Sequence, residues 1–258
     1  MVSSNLMLHA GGKLVTLDEL GQFKALPPEG RWFPVPHVQV RNRVVETLEA
    51  AGYQVKKEQL VVARGGNRFF GVLDLATPVS GGDVTLAVGV RNSVDKSFPL
   101  GFCAGSRVFN CDNLAFRAQL LIRRKHTRYG EQRFNQAIAE AVSGLSSFRD
   151  EEAHRIEVLR QTELPEVLAE SLLLRAYERG VIGAHQLPLV LKEWRQPRFE
   201  EFKSRTAWSL FNAVTTVLGE QQRHIKQPQA FVAQTMQLHH LLEFKRGETD
   251  VPQTQTAS

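Results

Sequence analysis

The chain has 258 residues, enough to bury roughly 70–75% of the surface its unfolded form would expose, so a core needs no disulfide or metal staple. Its 42% hydrophobic and 23% charged content excludes a largely disordered chain, and a net charge of +5 leans toward a polyanionic partner without requiring one. No apolar stretch is long enough to span a bilayer, and the N-terminus lacks a charged region followed by an apolar run, so a cytoplasmic protein with no membrane partner is expected.

Residues 1–36 hold short apolar runs broken by Gly11-Gly12, Pro27-Pro28, Pro34 and Pro36, which predicts an N-terminal arm. From His37 to Ala51, Val38, Val40, Val44, Val45 and Leu48 interleave with charged residues and Gly52 follows as a stop, the pattern of a helix. QVKKEQLVVAR, RFFGVLDLAT and VTLAVGVRN come next, separated by Gly65-Gly66-Asn67 and Gly81-Gly82-Asp83. Such turns permit the positive φ of tight hairpins, so the runs pair as an antiparallel meander. LGFCAGSRVFNCDN and AFRAQLLIRR read as two further strands, although AFRAQLLI also suits the start of a helix.

After Tyr129 the spacing is helical throughout: RFNQAIAEAVSGL, FRDEEAHRIEVL, PEVLAESLLLRAYERG, LPLVLKEW, and one long run over 200–224. Pro165 and Pro188 fall at first-turn positions, where a missing N–H costs nothing. The fold class expected is α+β: an antiparallel β-meander of about five strands packed with an N-terminal helix and a helical C-terminal half. Residues 37–246 form one domain, with the sheet at about 54–124 and the helices at about 131–246, and the polar stretch 247–258 reads as a disordered tail.

Cys103 and Cys111 lie eight residues apart on one expected strand, beyond disulfide reach, and read as free thiols. No Cys or His cluster has the spacing of a zinc site, and the adjacent His239 and His240 point about 100° apart around a helix, so neither a metal nor a cofactor is expected.

Four constellations carry possible chemistry. Arg91-Asn92-Ser93-Val94-Asp95-Lys96-Ser97 offers donors, acceptors and both charge signs at the end of a strand, although Asn, Ser and Asp are also ordinary turn formers. In Ser106-Arg107-Val108-Phe109-Asn110-Cys111-Asp112-Asn113, alternation puts Arg107, Phe109 and Cys111 on one face. A catalytic Cys111 would need Arg107 or His126 nearby to form thiolate, whereas an inert buried thiol needs nothing.

Arg117, Arg123, Arg124, Lys125, His126, Thr127, Arg128 and Arg133 form a basic stripe with Phe109, Phe116 and Tyr129 interleaved. The cations suit phosphates and the rings suit stacked bases, unless the stretch is simply a solvated turn. Trp208, Asn212 and Thr215 fall on one helix face, either closing over a polar loop or packing in the core.

In order and spacing, GVRNSVDKSF, GSRVFNCDN, RRKHT and TAWSLFNAVTT resemble the domain of unknown function 932 family, phage- and plasmid-like proteins of bacteria and mobile elements. The resemblance covers about residues 37–218. It implies a mobile-element setting and no established reaction. It marks Arg91, Asn92, Ser93, Asp95, Ser97, Cys111, Asn113, His126, Thr127, Trp208 and Asn212 as motif positions, with Asn110 standing where the family has an apolar residue. The helix, meander and further helix also resemble the layout of ring-forming single-strand annealing proteins.

The leading expectation is therefore a non-enzymatic binder of nucleic acid, single-stranded DNA foremost. Arg91, Lys96, Arg107, Arg123, Arg124, Lys125 and Arg128 would meet phosphates, and Tyr129 would stack. Two alternatives stand beside it. One is an enzyme acting on a nucleotide or phosphorylated substrate, joining the 91–97 loop with Cys111 and His126. The other is a regulatory protein whose helical half contacts a host protein. A second copy of the chain is a further candidate partner.

Overall fold

The computed structural model describes residues 12–81, 83–108, 114–116, 122–221 and 228–243; for 107–108, 114–116, 220–221, 228–233 and 236 it describes the backbone alone. Turn chemistry and alternation build a seven-stranded antiparallel sheet among these residues. Its strands are β1 (Lys13–Val15), β2 (Val55–Ala63), β3 (Arg68–Ser80), β4 (Val84–Ser93), β5 (Leu100–Val108), β6 (Leu114–Phe116) and β7 (Ile122–Arg124). The order is β1-β2-β3-β4-β5-β6, and β7 also pairs with β5.

The β2–β3 turn takes left-handed backbone at Arg64, Gly65 and Gly66, which only glycine adopts freely, and so the meander reverses where Gly65-Gly66-Asn67 places it. Of the run 115–124, expected as one strand, the described residues lie in β6 and β7, both antiparallel to β5. β6 pairs with Gly105–Arg107 and β7 with Leu100–Phe102, and residues 117–121 lie outside the described residues. The seventh strand comes from the N-terminal segment, where Leu14 pairs with Val61.

Alternation sends Leu60, Phe69, Leu73, Val88, Val90 and Phe102 to one face, all buried. Helices pack on that face. α1 (Leu17–Gln22) opens with a Thr16–Glu19 capping box, and α2 is His37–Ala50. α3 (Gly130–Ser143), α4 (Leu145–Gln161), α5 (Glu166–Glu178), α6 (Leu187–Arg195), α7 (Ala207–Gln221) and α8 (Pro228–Leu242) make the helical half. One apolar cluster runs from Leu60 and Phe69 in the sheet to Phe211 and Leu238 in the helices, which makes the α+β layers share a core. No helix among the described residues is long and apolar enough to cross a membrane.

The long helix expected over 200–224 is interrupted. Glu200–Phe202 is a 3-10 turn, and α7 begins only at Ala207. The backbone between them is engaged elsewhere, because Leu164 N–H donates to the Arg205 carbonyl and Ala207 N–H to the Thr162 carbonyl, both at 2.8 Å. Thr206 Oγ1 then accepts from Ser209 N–H at 3.3 Å, in the manner of an N-cap.

Candidate functional site

Three cross-strand partners organise the most basic part of the sheet. Arg91 on β4 pairs with Gly101 on β5, and Gly101 pairs with Arg123 on β7. Directly opposed residues share a face, and with strands ~4.8 Å apart the two arginines stand roughly 10 Å from each other at the backbone. A Cβ on Gly101 would lie 2.7 Å from Arg91 Cγ and 2.8 Å from Arg91 Nε, so the Arg91 side chain lies across the bare glycine toward Arg123.

The Arg91 guanidinium is 5.3 Å from the centroid of the Phe98 ring, which in turn sits 5.3 Å from Phe70. Burial lowers the Arg91 pKa and the neighbouring Arg123 charge lowers it further. That mutual repulsion is what an anion between the two cations relieves.

The chain then leaves the sheet through a tight turn. Thr127 N–H donates to the Lys125 carbonyl at 2.9 Å and Gly130 N–H to the Thr127 carbonyl at 2.8 Å. A side chain at Gly130 would meet the Lys125 carbonyl oxygen at 2.3 Å, so this turn closes only on glycine. It leaves Lys125 and Arg128 exposed and Tyr129 57% exposed at the start of α3, with Thr127 half-buried between them. Arg124 departs from the stripe. Alternation turns it to the face opposite Arg123, where it is half-buried and donates through Nη1 to the Arg123 carbonyl at 3.0 Å. Among the described residues, Arg91, Arg123, Arg124, Lys125 and Arg128 form no ion pair.

The 91–97 segment is displayed only at its far end, where Lys96 and Ser97 are exposed. β4 runs through Ser93, and Asn92 and Ser93 are fully buried. Asn92 Nδ2 donates to the Val35 carbonyl at 2.7 Å and lies 2.9 Å from His37 Nδ1. Ser93 Oγ donates to the Phe98 carbonyl at 2.8 Å and accepts from Phe98 N–H at 3.1 Å. Asp95 accepts from Ser97 N–H at 3.0 Å and from the Ser97 hydroxyl, and pairs with Arg68 at 3.0 Å. Burial would raise its carboxyl, but those bonds and the Arg68 charge hold it below the ordinary range. Lys96, in left-handed backbone, pairs with Glu29 and lies 5.2 Å from the Trp32 ring centroid, so its charge is already engaged. These contacts belong to a turn that shapes its own backbone.

His126 is 6% exposed. Burial lowers its pKa and the nearby His37 adds to the effect, while the backbone of Phe98 and Phe33 pulls the other way. Cys111 and Asn113 lie outside the described residues, as do Phe109 and Arg117, and of Arg107 the structure describes the backbone position on β5. Cys103 is a free thiol whose Sγ lies 3.7 Å from the Gly89 carbonyl. Trp208 and Asn212 are not brought to the 91–97 segment by any contact described. Both are buried on α7, with Trp208 stacked on Phe211 at 5.5 Å and Asn212 Nδ2 donating to the Trp208 carbonyl at 2.9 Å. Among the described residues no group of three or more His, Cys, Asp or Glu is placed to hold a metal ion.

Sequence reasoning missed a charged cluster inside the core. Glu152 on α4 is 1% exposed and accepts from Arg155 Nη2 at 2.6 Å, Arg155 Nε at 3.0 Å and Ser106 Oγ at 2.9 Å. Burial would raise its carboxyl, yet the Arg155 charge and hydrogen bonds, with His239 and Ser106, bring it down to about 2. The i, i+3 spacing of Glu152 and Arg155 was legible as a helix pair, but its position under β5 was not. The helical half also exposes Val167, Leu174 and Tyr177 on α5 and Leu189 on α6.

Against models of protein families, curated proteins and solved structures alike, the chain finds no match.

Proposed function

We propose that this protein is a non-enzymatic nucleic-acid-binding protein of the cytoplasm, in a phage- or plasmid-type setting, with single-stranded DNA as its foremost ligand. The observation that carries the reading is the row Arg91, Gly101, Arg123, continued by Lys125 and Arg128 in the turn: cations without carboxylate partners among the described residues. Arg91 and Arg123 take successive phosphates, Lys125 and Arg128 extend the path around the edge at β7, and Arg124 meets the backbone from the far side of that edge. Exposed Tyr129 offers a ring for a base. A single strand, whose bases are free to turn toward Tyr129, uses both features, whereas a duplex uses the charges alone.

An enzymatic reading draws less support, because His126 is buried among backbone groups rather than displayed for proton transfer. The exposed apolar residues of α5 favour an interaction role for the helical half as a second reading. Fluorescence anisotropy with labelled single- and double-stranded oligonucleotides separates these. Five phosphate contacts give a log–log salt slope of roughly −3.5 for a single strand, about a hundredfold loss between about 50 and 200 mM salt. Binding insensitive to salt, or no binding, overturns the proposal.

A further inference from the structure

The segment leading into α2 is tied down by buried hydrogen bonds that suit only one protonation state. His37, fully buried, has Nε2 2.8 Å from the Gly66 carbonyl and Nδ1 2.9 Å from Asn92 Nδ2. A carbonyl only accepts and an amide nitrogen only donates, so Nε2 carries the proton, Nδ1 is bare, and the ring is neutral. The orientation of Asn92 is fixed by its second bond, because an amide turned round would set its oxygen against the Val35 carbonyl 2.7 Å away. Phe33 N–H donates to the His126 carbonyl at 3.1 Å. Segment 33–37 therefore joins the end of β4 to the turn that presents Lys125, Arg128 and Tyr129.

We propose that this joint is an acid-sensitive latch: a proton on His37 Nδ1 sets donor against donor, breaks the tie between Asn92 and Val35, and releases segment 33–37 from β4 and from the 125–129 turn.

The surroundings give a proton little shelter. Asp95, on the loop after β4, is the carboxylate whose field reaches His37, and it is held by Arg68 and Ser97. Lys96 beside it is paired with Glu29. From β3 the Phe69 ring lies 5.6 Å away, and the N-terminus of α2 adds the positive end of its dipole. Burial lowers the His37 pKa against the pull of the Gly66 carbonyl and Asp95. From the turn, His126 lies within reach of the His37 charge, so a charge on one ring opposes a charge on the other. Release of the segment wets both rings, and the two protonations then proceed together. The latch goes beyond the nucleic-acid reading and does not rest on it.

The test is amide hydrogen exchange of the full chain by NMR, corrected for intrinsic rates, beside a titration of the histidine side-chain nitrogens. At neutral pH His37 is the Nε2–H tautomer. It titrates below 6.5, and protection of the Phe33 amide falls about tenfold or more through the same midpoint while Val88 in β4 stays protected. Asn92→Asp offers a carboxylate to the charged ring and moves the midpoint up by about a pH unit or more. His37 titrating at its ordinary value with Phe33 protection unchanged overturns the latch. So does simultaneous loss of Phe33 and Val88 protection, which is global unfolding. Both outcomes are read in the natural sequence, whatever the fate of the variant.

Discussion

Arg91 and Arg123 face the same side of the sheet two strands apart, and the position between them is Gly101, across which the Arg91 side chain lies. Two like charges are thereby held close by backbone pairing, not by flexible side chains alone. Pre-arranged cations lose less freedom on meeting an anion than loose ones do.

Gly101→Ala tests that arrangement without touching a charge. The new methyl would stand 2.7 Å from Arg91 Cγ, so Arg91 must swing away. A stability cost of about 1 kcal/mol is expected, with single-strand affinity reduced as far as in Arg91→Ala and the salt slope shallower by about 0.7 in both. Anisotropy across a salt series measures this.

Stability should fall on mild acidification. Burial holds His37 and His126 below the ordinary 6.5 when folded, so the unfolded chain binds protons first as pH drops. Their contribution is complete above 6.5 and is lost as pH falls through the lowered folded values. Urea titrations at about pH 7.5 and about pH 5.5 should show a lower midpoint at the acid end with an unchanged slope, and His37→Gln should flatten the difference.

Glu152→Gln should be severe. It leaves Arg155 charged and buried without its carboxylate, a loss of about 3–5 kcal/mol, whereas Asp83→Asn, at the partly exposed pair with Arg160, should cost under about 1 kcal/mol. The Glu152 contribution is present above 4.5 and is lost as pH falls toward about 2, so Glu152→Gln should converge with the natural protein only in strong acid. Thermal unfolding of the three proteins checks the order.

The meander was legible because its signals are local: Gly65-Gly66-Asn67 turns the chain and alternation assigns the faces. The same alternation puts Asn92 beside Val88 and Val90 on the helix-covered face. Its partners, Val35 and His37, lie more than fifty residues away, so the sequence could not show that the amide is satisfied there. Arg123 and Arg124 read as one stripe until a strand separates them to opposite faces. The break before α7 depends on Arg205 and Thr206 pairing with residues near Glu163, a contact that helical spacing alone does not reveal. Composition located the basic turn, and only the pairing of β4, β5 and β7 placed Arg91 next to it.

Binding along the basic row is tested by anisotropy of a labelled single-stranded oligonucleotide with the natural protein and with an Arg123→Ala/Arg124→Ala/Lys125→Ala variant, at two salt concentrations. Tight, salt-sensitive binding by the natural protein is expected, with a loss of about tenfold or more in the variant and the salt slope shallower by roughly 2. Equal binding by both proteins, or none by either, contradicts it.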